Sequence, residues 1–190
     1  MIVKDYQPYS IVEDEGFVNL LKVLAPKYKV PNRRLLIKIV DDKYLTVVEC
    51  VKTKIKQKYL TMTADIWTDS HTTRSYLGVT CHFLDPAIGT NLQEIDLGVY
   101  ILNERHSSAY ISSCFEDILK HWAISKEQIS LIVTDHAANM LKSVADTFSD
   151  DKHIGCVAHA MNLVAKKSIE TTKSLPELID KIKRIGLFNE

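Results

Sequence analysis

The sequence has little glycine (6) and little proline (5), and no Gly/Ser-rich linker, repeat or low-complexity tract. A fibrous repeat or a disordered chain is therefore excluded, and the composition agrees: 46% hydrophobic and 25% charged over 190 residues are globular values for one or two domains. Net charge is also lacking. Lys plus Arg and Asp plus Glu stand at 24 each, which excludes a nucleic-acid binder working through bulk positive charge. Cysteine is sparse, and Cys50, Cys81, Cys114 and Cys156 are too widely spaced for a compact disulfide scaffold or a CxxC zinc pair. A reducing, intracellular setting is the simplest expectation. No apolar run approaches the roughly 18 residues that a membrane-spanning helix needs. The opening Met1-Ile-Val-Lys-Asp-Tyr6 lacks the charged-then-apolar order of a signal peptide, so secretion is not expected.

What is present is uneven. Residues 1–57 carry eleven basic and seven acidic side chains, and the remaining thirteen basic and seventeen acidic reverse the sign. The front part reads as helix: Val12, Phe17, Leu20, Leu21 and Leu24 suggest a short helix ending before Pro26. After Pro31, Leu36, Val40, Tyr44, Val47, Val51 and Ile55 recur at steps of three and four. A stripe of that length must pack on something, either the following domain, a second copy or DNA.

From residue 60 the period becomes two. Leu60, Met62, Ala64 and Ile66 alternate with Thr61, Thr63, Asp65 and Trp67, predicting a strand in which Trp67 is expected in the core. Ser75–Leu84 and Leu92–Leu102 predict two more, with a turn at Asp85, Pro86 and Gly89, and connections this short favour an antiparallel meander. Ser107 and Ser108 offer caps to a helix carrying Ile111, Phe115, Ile118, Leu119 and Trp122. A fourth strand at Ile129–Asp135 follows and, after an intervening helix, should run parallel to its neighbour. Helices at about 137–147 and 157–170 flank a short strand at His153–Cys156. The order is βββαβα(β)α, a mixed α/β sheet.

Asp65 breaks the apolar logic of the first strand and Asp135 closes the fourth. If those strands are neighbours, the two carboxylates meet, and they repel unless a cation lies between them. Hard oxygen ligands select Mg²⁺ or Mn²⁺. The plainer alternative for an Asp at a strand end is a helix cap or turn residue. Cys156 and His159, three apart at a helix start, share a face; with no second ligand pair they predict no zinc, and a hydrogen-bonded structural pair is the alternative.

These residues resemble a family. Thr63-Ala-Asp65-Ile-Trp67-Thr, Tyr76-Leu77-Gly-Val79-Thr80-Cys-His82-Phe83, His106-Ser-Ser-Ala-Tyr-Ile, Val133-Thr134-Asp135-His-Ala137-Ala138-Asn139-Met140 and Cys156-Val-Ala-His159-Ala-Met-Asn162-Leu163 are similar, in order, to segments of hAT transposases and their domesticated BED-zinc-finger relatives. The Gln7–Phe17 segment is similar to the helical stretch before their catalytic domain. The resemblance implies an RNase H-like fold, a mixed sheet flanked by helices, present in its first part only over residues 58–190 and preceded by a helical segment over residues 1–57. It implies that Asp65 and Asp135 are catalytic acids binding Mg²⁺ or Mn²⁺, that Cys156 and His159 form a CxxH box handling DNA ends, and that the setting is the nucleus.

The chain also departs from the family pattern. His136 stands where Asn is usual after the second acid, no BED finger precedes the domain, and the third acid, a Glu beyond a long helical insertion, is expected to lie past Glu190. The expectation is therefore a transposase-derived module that contacts DNA or protein, the DNA weakly or indirectly, with little or no catalysis and no membrane association. Two alternatives stay open: an active metal-dependent transposase or nuclease completed by further sequence, and a structural module self-associating through residues 33–57.

Overall fold

A computed structural model of the chain describes residues 2–85, 91–172 and 175–184. The chain divides into two units, Met1–Lys54 and Ile55–Glu190. The first holds a 3₁₀ turn at Tyr9–Glu13, helix α1 (Glu15–Leu24) and nearly all of helix α2 (Arg33–Ile55). Pro26 and Pro31 fall in the break between the helices, where a missing N–H and a fixed φ do least harm. Asn32 starts α2 by accepting the backbone N–H of Leu35 on its side-chain oxygen at 2.8 Å.

The expected apolar stripe on α2 is only partly buried. Leu36 and Ile55 are inside, as is Val48, which the stripe omitted, whereas Tyr44 and Val47 are exposed. The steps from Leu36 to Ile55 average more than the helical repeat of about 3.6 residues, so the stripe drifts round the helix and cannot remain one buried face.

The second unit is built on a five-stranded mixed sheet: β1 (Leu60–Thr68), β2 (Ser75–Leu84), β3 (Leu92–Leu102), β4 (Ile129–Thr134) and β5 (His153–Gly155), in the order β3-β2-β1-β4-β5. The first three strands are antiparallel neighbours, and β4 and β5 add in parallel beside β1. The meander and the parallel fourth strand are as expected. The turn at Pro86 and Gly89 lies outside the described residues. Helices α3 (Ser108–Trp122), α4 (Ala138–Thr147), α5 (Val157–Thr171) and α6 (Leu175–Arg184) complete the unit. Among the described residues no helix is long and apolar enough to cross a membrane.

The sheet's two faces differ sharply. Leu60, Met62 and Ala64 of β1, Leu77, Val79, Cys81 and Phe83 of β2 and Ile132 of β4 are buried, and α3 and α4 supply Ile111, Phe115, Ile118, Trp122, Met140 and Val144 to the same core. The alternate residues of β1, from Thr61 to Trp67, are half-buried or exposed. Burial pushes the Cys81 thiol up to about 11, so it stays protonated and behaves as a small apolar side chain.

Polar ties fix the elements against one another. The Ser107 hydroxyl accepts the Tyr110 N–H at 3.3 Å and caps α3. Ser112 donates to the Ser143 carbonyl at 3.2 Å, joining α3 to α4. Gln128, just ahead of β4, donates to the carbonyls of Ile55 and Lys58 at 3.1 and 3.2 Å and so pins the approach to β1 beside β4. The open end of the meander is held by Lys58, which pairs with Asp85 at 3.0 Å. In β3 the register slips by one residue beside Val79 and Thr80, where Gly98 takes φ +130°, a conformation that favours glycine. Leu97 stays buried at this bulge, while Val99 and Ile101 emerge on the open face.

Candidate active site

Both candidate acids arise at one end of the central strand pair. Thr63 on β1 lies opposite Val133 on β4 in parallel register. Asp65 and Asp135 are each two residues further along, so they stand level just past the last paired positions of β1 and β4, Asp65 still inside β1 and Asp135 one residue beyond β4. Side chains alternate along a strand, which puts Asp65 on the open face with Thr61, Thr63 and Trp67. Asp65 is exposed and Asp135 half-buried, one residue past the end of β4.

Together they line an open cleft of about 630 Å³ whose floor includes Thr63, Gly78 and Thr80 and whose wall is Cys156, His159 and Asn162. The four predicted site residues therefore share one cleft. The Thr63 and Thr80 hydroxyls bond to each other across β1 and β2.

The loop that presents Asp135 is bound at several points. One carboxylate oxygen, Oδ1, accepts the Ala137 N–H at 3.1 Å, an Asx turn that leads into α4. The turn reading and the ligand reading thus coexist, because a carboxylate has lone pairs to spare. Thr134, almost fully buried, donates its hydroxyl to the Asp135 carbonyl at 2.9 Å and also bonds His153 Nε2 at 2.9 Å. The backbone N–H of Cys156 donates to the Thr134 carbonyl at 2.8 Å, which seats the start of α5 beside Asp135. Asn139, four residues after Asp135, donates to the His106 carbonyl at 2.9 Å and ties the entry of α4 to the entry of α3.

Cys156 and His159 pair through backbone rather than rings: the thiol caps α5 by accepting the His159 N–H at 3.4 Å. His136 packs its ring edge-on against His153, with centroids 5.8 Å apart, and over Gly155.

Two expectations need amendment. Trp67, expected in the core, is 42% exposed and lies on the open face two residues from Asp65. Alternation decides this, because Trp67 has the parity of Asp65 and not of Met62 and Ala64. The sequence reading also passed over Asp96, which lines the same cleft from β3. The available signal was Gly98 inside a strand pattern, the usual mark of a bulge that re-aims side chains.

The donor set suits a hard cation. Magnesium is commonly held by one or two carboxylates, with water and substrate phosphate completing its shell. Asp65 and the remaining lone pairs of Asp135 provide such a pair. Among the described residues no three His, Cys, Asp or Glu side chains come together as a ready-made metal site.

Residues 63–160 match the family model of the ZBED1 RNase-like domain. The chain is similar to a Zea mays protein named as an AC transposase, 31% identical over 201 residues that cover 98% of this chain and 24% of that protein. It is similar as well to zinc finger BED domain-containing protein 4 of Homo sapiens, 26% identical with 97% and 16% covered. The transposable element Hobo transposase of Drosophila melanogaster is 23% identical, with 94% and 29% covered. The chain spans less than a third of the length of these relatives.

Proposed function

Because the chain belongs to the ZBED1 RNase-like domain family and is a relative of hAT/BED-type transposases, we propose that Asp65 and Asp135 form a divalent-cation site through which it holds DNA by the phosphates, with little or no strand cleavage of its own. The observation that carries this is the level placement of the two acids just past the paired stretch of parallel neighbours β1 and β4. The strand order β3-β2-β1-β4-β5, with an antiparallel meander and two added parallel strands, supports an RNase H-like arrangement.

A bound Mg²⁺ or Mn²⁺ would neutralise the carboxylates and polarise a phosphate oxygen. The chain's own residues set the geometry. The Ala137 N–H holds the Asp135 carboxylate and the Thr134 hydroxyl holds its backbone carbonyl, while Asp65 projects from a regular strand. His159 and Asn162 on the first turns of α5 form the wall against which a DNA end would lie, in keeping with the role of the CxxH box that the resemblance implies. In-line displacement commonly uses two cations about 4 Å apart. Two carboxylates supply ligands for one, so binding without turnover is the expected behaviour. A nuclear setting follows from a DNA partner.

Mn²⁺ titration of the full chain, read by water-proton relaxation, tests the site. Saturable binding is expected, and Asp65→Ala or Asp135→Ala should each weaken it at least about tenfold, since a unit charge at 4 Å is worth about 4 kcal/mol at a near-surface dielectric. No binding by the wild type at millimolar Mn²⁺ would sink the proposal, and nicking of supercoiled DNA by the wild type alone would replace it with the active-enzyme reading.

A second reading has its own observation. Leu35, Ile39, Tyr44, Leu45 and Val47 are all exposed on α2, a supply of apolar surface for self-association through residues 33–57. Sedimentation of the full chain should show a dimer that Leu35→Lys with Ile39→Lys dissociates; a wild-type monomer at high concentration removes this reading.

A further inference from the structure

The wall of the cleft is carried by a helix with little of its own to hold it. None of the fifteen residues of α5 is buried, yet the helix and its cap bring Cys156, His159 and Asn162 to the cleft. The strand that leads into it, β5, is a three-residue edge strand beside β4. Few buried contacts give low local stability, so the placing of α5 depends on the joint at its start. Gly155 is the register partner of Thr134, and the next residue, Cys156, donates its N–H to the Thr134 carbonyl at 2.8 Å. The third part of the joint is His136. A Cβ on Gly155 would collide with His136 Cε1 and lie 2.6 Å from its Nε2, so the ring fills the space of the missing side chain. Among the described glycines Gly98, and not Gly155, has a positive φ, so space rather than backbone conformation demands glycine at 155. The edge of the ring meets His153, whose Nε2 bonds the Thr134 hydroxyl, and that hydroxyl holds the Asp135 carbonyl. His136, His153, Thr134 and Asp135 thus close a circuit of contacts around the short loop that joins β4 to α4.

We infer that His136 is a positioning residue for the cation site: its ring, seated on Gly155, fixes the Asp135 loop against the head of α5. The inference rests on the cation reading above and adds what holds that site in shape. Magnesium tolerates little departure from octahedral geometry, so its affinity depends on how firmly its carboxylates are aimed. Asp65 is aimed by a regular strand, whereas Asp135 lies one residue beyond β4 and needs its loop braced. His136 supplies the brace without being a ligand, because it lines a separate hollow beside Val157, Ala160 and Met161 rather than the cleft. It is also exposed, and exposed side chains contribute little to global stability. Its effect on the site can therefore be read apart from its effect on folding.

The test sets Mn²⁺ affinity of the full chain, read by water-proton relaxation, beside hydrogen exchange at the Cys156 amide without metal. His136→Ala should weaken Mn²⁺ binding about tenfold, the low end of the range for losing a group that orients a metal ligand. The same variant should speed exchange at Cys156 by a similar factor, with the urea midpoint nearly unchanged. Gly155→Ala, whose Cβ pushes the ring off its seat, should act alike on both counts. Combining the two should bring no further loss, because each removes the same contact. His136→Phe keeps a flat ring on Gly155 and should stay within a few-fold of the wild type. Circular dichroism checks folding, and should Gly155→Ala unfold, His136→Ala against His136→Phe carries the comparison.

Equal Mn²⁺ affinity of His136→Ala and a wild type that binds would overturn the inference and leave the cation reading standing. Losses that multiply in the double variant would overturn it too, since the ring and the glycine would then act apart. So would His136→Phe as weak as His136→Ala, which marks the imidazole as a direct ligand. Exchange at Cys156 that stays slow while Mn²⁺ binding weakens does the same, because the ring then does not hold the head of α5. No Mn²⁺ binding by the wild type sinks the cation reading and this inference with it.

Discussion

Phe115→Ala is expected to destabilise the sheet-bearing unit by about 3–5 kcal/mol, the cost of emptying a large aromatic site in a packed core. Phe115 has no solvent exposure, sits mid-way along α3 on the face turned to the sheet, and meets Phe148 edge-to-face with centroids 5.6 Å apart. Its ring is part of the buried core to which α3, α4 and the inward residues of β1 and β2 contribute, and close-packed surroundings relax only partly into such a space. Against a typical total stability of about 5–15 kcal/mol, this loss is a large share. Urea melts followed by circular dichroism should show a lower midpoint with an unchanged slope. Phe115→Leu, which keeps most of the volume, should cost less than about 1.5–2 kcal/mol. A Phe115→Ala loss below about 1 kcal/mol would mean that α3 does not close the core.

Trp122→Ala should cost a similar amount, about 3–5 kcal/mol, and a companion substitution shows why. Trp122 is buried at the end of α3, and its indole N–H donates to the Leu97 carbonyl at 2.8 Å and lies 3.2 Å from the Tyr100 hydroxyl. Leu97 is the residue at the β3 bulge, where regular pairing with β2 is interrupted. Removing a donor usually strands a buried carbonyl at a cost of about 1–3 kcal/mol. Here the Tyr100 hydroxyl also donates to that carbonyl, at 2.9 Å. Trp122→Phe should therefore cost only about 1–1.5 kcal/mol, mostly from lost volume, and Trp122→Phe combined with Tyr100→Phe should exceed the sum of the single changes. A double-mutant cycle by urea melts measures the excess. Strict additivity would mean that the two donors do not back each other up.

These two residues belong to the part of the fold that was legible beforehand. The period of two from Leu60, the runs at Ser75–Leu84 and Leu92–Leu102, and the stripe from Ile111 to Trp122 each record a one-sided local environment, which is what periodicity reports. The parallel sense of β4 followed from the helix between β3 and β4, whereas its place beside β1 is decided only by the strand order. The stripe on α2 misled because apolar spacing says that a helix has a side to hide, not how far along its length that side remains covered. Trp67 misled for a related reason: a large aromatic is usually buried, but its parity on β1 commits it to the face of Asp65.

The opening inventory of absences keeps its meaning within limits. With 24 charges of each sign, the chain has no bulk attraction for DNA to offer, and the acid pair needs a cation before it can approach a phosphate. By itself the sequence determined the element types, the identity of the two acids and the family motifs, because these rest on local spacing and on residue chemistry. The tertiary structure alone decided that Asp65, Asp135, Cys156 and His159 share one cleft, that Asp96 joins its lining, and that the Trp67 and Tyr76 rings stack on each other. Those facts depend on register across strands far apart in sequence and on a one-residue bulge at Gly98, and a single slip in either would turn each side chain to the opposite face.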